Sequence, residues 1–122
     1  MAHILVLEDS AALRRIVTQA LRDEGHVVAS SDNGMAAYNE ALLNSVDLMI
    51  AELVMPRVDG LDAIRTTLET RDDLKVIAMS GGSPAFEQDY LKVASIFGAR
   101  DVLRKPFEPE ALVNVVNTAL AA

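Results

Sequence analysis

The chain has 122 residues, 51% of them hydrophobic, and a formal net charge of −7. That is enough chain and apolar material for one core, so residues 1–122 read as a single ordered domain, and the acidic balance without a Lys/Arg run argues against a nucleic-acid surface. With no cysteine there is no disulfide framework or thiol chemistry, no apolar stretch reaches the ~20 residues a bilayer needs, and the opening MAHILVLEDS turns acidic too soon for a signal peptide, so a cytoplasmic protein with no membrane partner is expected.

HILVL at 3–7 is a short apolar run that suits a strand covered on both faces. Ser10 is placed to cap a helix in which Leu13, Ile16, Val17, Ala20 and Leu21 recur at helical spacing, and Gly25 stands where a helix end takes a left-handed residue. HVVAS at 26–30 reads as a second strand, SDNG at 31–34 as a turn, and a helix with Ala37, Ala41 and Leu42 inward follows. DLMIA at 47–51 is a third strand. A loop with Pro56 and Asp59-Gly60 leads to a helix from about Leu61 to Glu69, with Leu61, Ile64 and Leu68 on one face. LKVIAM at 74–79 is a fourth strand and SGGSP at 80–84 a loop. Pro84 starts a helix carrying Phe86, Tyr90, Val93, Ala94 and Phe97, which Gly98 ends. RDVL at 100–103 is a short fifth strand, and a last helix runs from about Pro109 to Ala119.

Five strand-helix units in alternation predict an α/β doubly wound fold, flavodoxin-like (βα)5, with a five-stranded parallel sheet of order 2-1-3-4-5. In such sheets ligands bind beyond the carboxyl ends of the strands. That edge would gather Glu8, Asp9, Glu52, Ser80 and Lys105. Carboxylates do not crowd together without a cation, and Mg2+ takes one or two of them together with water and phosphoryl oxygens. A lysine neutralises phosphoryl oxygens and a hydroxyl bonds another. The set reads as a site for phosphoryl transfer onto a carboxylate.

With these residues placed, the chain resembles the receiver domain of two-component response regulators over essentially its whole length. LVLEDS is similar to the family's acidic pair after the first strand, and DLMIAELVMPRVDG to its DLxxxDxxMPxxDG segment. MSGG carries Ser80 at the family's Thr/Ser position, and GARDVLRKPF is similar to its GAxxxLxKPF ending. The resemblance implies Asp9 as the main Mg2+ carboxylate, Glu8 as its partner through water, and the backbone carbonyl of Val54 as a further ligand. It implies Ser80 and Lys105 as phosphoryl-holding groups and a cis Lys105-Pro106 bond. It also implies output by contact with a partner signalling protein, a histidine kinase among the candidates, and a homodimer through the face of the fourth helix, fifth strand and fifth helix.

Two positions depart from the family pattern. Glu52 stands where the family has its phosphoacceptor aspartate, and Val102 stands at the switch position, usually Tyr or Phe. The extra methylene pushes the carboxylate ~1.5 Å further into the site, and in-line transfer tolerates little misplacement. Poor or absent phosphorylation is therefore expected, with weakened or altered Mg2+ binding. A partial phosphomimetic role is expected too, Glu52 pairing with Lys105 and hydrogen-bonding Ser80. Tyr90 is a candidate surrogate for the missing ring. His3 and His26 have no partner motif and read as structural. A stand-alone, non-enzymatic signalling module is the leading expectation. Its alternatives are a phosphorylatable receiver fragment of a larger regulator and a non-signalling flavodoxin-like binding module, the latter opposed by two acids where a flavin phosphate would sit.

Overall fold

The computed structural model describes residues 1–35, 45–53, 60–81, 92, 95 and 98–122. Among them run β1 (His3–Leu7), α1 (Ala11–Asp23), β2 (Val27–Ser31), β3 (Leu48–Glu52), α2 (Gly60–Thr70), β4 (Lys75–Ser80), β5 (Asp101–Arg104) and α3 (Pro109–Ala121). The helices expected over 37–42 and 86–97 fall outside the described residues, apart from the helical positions Lys92 and Ser95. Val54, Pro56, Pro84 and Tyr90 lie outside them as well, as does the side chain of Leu61.

All four strand pairings are parallel and the sheet order is β2-β1-β3-β4-β5, as the β-α alternation predicts. Side chains of a strand alternate between faces, and the core divides accordingly. Leu5, Leu7, Met49, Ala51, Val76 and Ala78 share one apolar cluster with Ala63 and Ile64 of α2. Ile4, Val6, Leu48, Ile50, Ile77, Met79 and Leu103 share the other with Val17 and Leu21 of α1 and Leu112, Val116 and Ala119 of α3. Each buried Leu, Ile, Val or Met side chain contributes about 1.5–3 kcal/mol of transfer free energy. The sheet is therefore clamped between two greasy layers, and its polar residues are displaced to the strand ends.

The strands after the first end one residue later than the apolar runs do. The reading of 26–30, 47–51, 74–79 and 100–103 becomes β2, β3, β4 and β5 ending at Ser31, Glu52, Ser80 and Arg104. The reason is that the ladder is built from backbone groups, which do not change where the side chains turn polar. Beyond these ends Glu8 N–H still donates to Ser31 O (3.0 Å), Leu53 N–H to Met79 O (3.0 Å) and Lys105 N–H to Ser80 O (2.7 Å). Glu52 and Ser80 are thus the last residues of regular strands rather than the first of loops. α3 also runs two residues past Ala119.

Ser10 caps α1 as expected, its hydroxyl accepting the Leu13 N–H at 3.3 Å. Gly25 follows the helix with φ +90°, the left-handed conformation that glycine adopts without a Cβ penalty. Ile16 is a correction: it is 53% exposed, whereas Val17 and Leu21 are fully buried. At 100° per residue, Ile16 lies about a quarter-turn from Val17, on the side away from Leu21. His26 is structural, its Nδ1 accepting the Ala2 N–H at 3.1 Å.

Candidate functional site

Three charged side chains meet at the carboxyl edge of the sheet, and strand parity brings them to one face. Glu8 continues the alternation of Ile4 and Val6, Glu52 that of Leu48 and Ile50, and Lys105 that of Leu103. All three therefore turn toward the layer of α1 and α3. Glu8 is completely buried and Glu52 is 4% exposed. The Lys105 ammonium forms ion pairs with Glu8 Oε1 and with Glu52 Oε2. The Lys105-Pro106 peptide is cis, as the resemblance implied.

Glu8 is held from several directions. Its second carboxylate oxygen, Oε2, accepts the Ser10 N–H at 3.4 Å. Its backbone carbonyl accepts from the Arg14 guanidinium at 2.8 Å. Sequence reading missed Arg14, whose signal was a cation one turn into the helix that follows the acidic pair. Burial pushes the Glu8 carboxyl above its ordinary range; Lys105 opposes this, while the neighbouring Asp9 and Glu52 carboxyls add to it. For Lys105, burial works against the charged form, but the bonds from Glu52 and Glu8 outweigh it and hold the ammonium above its ordinary value.

The other expected members are placed differently. Asp9 is exposed beside Glu8. Ser80 is 3% exposed, and its backbone carbonyl rather than its hydroxyl meets Lys105. Its parity is that of Val76 and Ala78, which face α2, whereas that of Glu52 is the parity of Leu48 and Ile50, which face α1 and α3. Val102 is half-buried against the α2-side cluster. Val54 and Tyr90 lie outside the described residues.

The donor types suit a hard divalent cation, because two buried carboxylates facing each other call for positive charge. The arrangement gives that place to Lys105. Among the described residues, no three His, Cys, Asp or Glu side chains are gathered as a metal cage. Also among them, no helix is long and apolar enough to cross a membrane. Chemically, the pocket can stabilise one ammonium between two carboxylates, and it exposes a further carboxylate at its mouth.

Comparison with known proteins identifies the family. The sequence model of the response regulator receiver domain matches residues 4–117. The DNA-binding transcriptional regulator NtrC of Azospirillum brasilense is 38% identical over 98% of this chain, which spans 24% of that protein. The response regulator receiver protein CpdR of Brucella abortus is 34% identical over 100% of this chain and 99% of its own length. Relatives thus range from proteins about four times as long to one of matching length. Among solved structures, NtrX from Brucella abortus in complex with ADP superposes with a TM-score of 0.88 at 27% identity, over 98% of this chain and 27% of that one. A BeF3-activated DrrB receiver domain superposes with a TM-score of 0.88 over 100% and 99% at 24% identity, a likeness of fold. With the family model matching nearly the whole chain and the parallel sheet shared with the solved relatives, the chain belongs to the response regulator receiver domain family.

Proposed function

We propose that this receiver domain signals by protein contact in a two-component system and takes up a phosphoryl group at position 52 poorly or not at all. The observation that carries the reading is the Glu52–Lys105 pair. Glu52 is the strand-end carboxylate, it is longer than aspartate, and it already engages the cation that would neutralise a phosphoryl group. Its reach takes up the room that an in-line donor needs. The same pair gives Glu52 a partial phosphomimetic role: one negative charge and two oxygens where a phosphoryl group would bring nearly two charges and three oxygens. The shift toward an active-like state is correspondingly partial.

In this reading the domain is a binding module rather than an enzyme, and it works in the cytoplasm. Asp9 and Glu8 are the carboxylates that would hold Mg2+, weakly, with Glu52 and the Val54 carbonyl completing the set. The partner is a signalling protein, a histidine kinase among the candidates, and the output face, shared with a homodimer, is that of the fourth predicted helix, β5 and α3. Full-length agreement with CpdR supports a module acting on its own. The higher identity to one quarter of NtrC supports a second reading, the receiver unit of a longer regulator.

The test is intact-mass measurement after incubation with Mg2+ and acetyl phosphate. The expected result is no stoichiometric gain of a phosphoryl group, with uptake restored in Glu52→Asp. Stoichiometric addition to the unmodified protein would overturn the reading.

A further inference from the structure

Among the described residues, β2 has one strand neighbour, β1, and so forms an edge of the sheet. The ladder fixes which of its main-chain groups are engaged. Val27 N–H donates to Ala2 O at 2.9 Å, and Ser31 O accepts the Glu8 N–H at 3.0 Å. Val27, Ala29 and Ser31 therefore turn their peptide groups toward β1. Those of Val28 and Ser30 point the other way, because main-chain groups alternate along a strand. An outward row of this kind is a template on which another strand can pair, and edge strands are commonly protected by a charged side chain, a proline or a bulge. β2 reads VVASS, with no charge and no proline. Its register with β1 runs unbroken from His3↔Val27 to Leu7↔Ser31, so it has no bulge either.

The protection comes from the helix before it. Arg22 stands in the last turn of α1, and its guanidinium reaches past the Gly25 turn to donate to Val28 O at 3.0 Å. We propose that Arg22 guards this edge: by occupying the outward carbonyl of Val28 it keeps β2 from pairing with the β2 of a second copy of the chain. An incoming strand would have to displace a planar, charged group that already fills the acceptor. A second copy is the occupant excluded, because the edge is self-complementary. About a two-fold axis, antiparallel copies set Val28 of one against Ser30 of the other, each with its peptide groups turned outward. Val27, 47% exposed, flanks the row with apolar surface. The inference rests on α1 and β2 and draws nothing from the reading of position 52.

Two substitutions test it. Arg22→Met keeps the stem and removes the guanidinium, while Arg15→Met removes the same charge from an exposed position of the same helix. Sedimentation equilibrium over a range of protein concentration gives the mass, and hydrogen exchange followed by NMR reads the Ser30 amide. At the highest concentrations Arg22→Met is expected to have about twice the mass of the unmodified protein, with exchange at Ser30 slowed about tenfold or more. Arg15→Met is expected to match the unmodified protein in both. Equal masses for Arg22→Met and the unmodified protein at every concentration would overturn the proposal. So would association that leaves Ser30 exchange unchanged, because another face would then be pairing. Association equally strong in Arg15→Met would overturn it too, because the loss of charge alone would then be responsible. Circular dichroism checks the fold, and Arg22→Gln is read in the same way should Arg22→Met not fold.

Discussion

At the scale of single residues, burial is the main influence on the Glu8 carboxyl, and Lys105 opposes it. Glu8's folded-state carboxyl titrates above its unfolded value because burial disfavours the charged form. Its contribution to stability is therefore fully present below the unfolded value, near 4.5, and is lost as pH rises through the folded one. Lys105 behaves in the opposite range. Its raised value keeps its contribution intact at neutral pH, to be lost only when pH climbs through the folded value above 10.5. Glu8→Gln removes the first effect and leaves Glu52 to pair with the lysine. Urea midpoints measured in EDTA should show the unmodified protein losing ground to Glu8→Gln as pH rises above 4.5. Midpoints that move in parallel would show that Glu8 is not the group responsible. The Glu52–Lys105 pair was legible in the sequence, because a carboxylate one carbon too long at the end of β3 reaches toward the lysine that follows β5. The face that Ser80 takes was not, because its parity depends on where β4 ends.

Among the elements, α1 tests how far periodicity carries. Five apolar positions at helical spacing define a stripe wider than the surface available to bury it, so one edge must stay in water. The structure leaves Ile16 out and takes Leu21 in. Leu21→Ala should therefore cost about 2–5 kcal/mol, while Ile16→Ser should stay within about 0.5 kcal/mol; chemical denaturation of both variants measures the contrast. Equal costs would mean that the helix is rotated from the orientation described. Strand existence and order were legible because fully buried parallel strands leave unbroken apolar runs between turn residues. Their last residues were not, since a ladder bond from Lys105 N–H to Ser80 O requires nothing of a side chain.

For the whole molecule, the parallel topology makes the pocket a product of distant parts of the chain. Glu8 follows β1 and Glu52 ends β3, both at the centre of the sheet, whereas Lys105 follows β5 at its edge, 97 residues after Glu8. Family membership was legible for the same reason, since four short motifs at separate strand ends had to point to one place. The separation also has a meaning in time. Contacts that span so much chain form late, after the entropy of closing the intervening loop has been met. Central strands that dock first bury two carboxylates with nothing to answer them, and the last strand brings the answer. The ion pairs should thus be nearly absent from the rate-limiting transition state, and their removal should open the exit more than it slows the entry. For Lys105→Ala, with a side chain still 21% exposed, a loss of about 2–3 kcal/mol is expected. Stopped-flow measurement should find it as unfolding roughly 30- to 150-fold faster, with refolding little changed; a loss carried by refolding would mean that the pairs form early. On that expectation the lysine acts as a latch, set after the sheet has been assembled, whose removal shortens the lifetime of the folded protein.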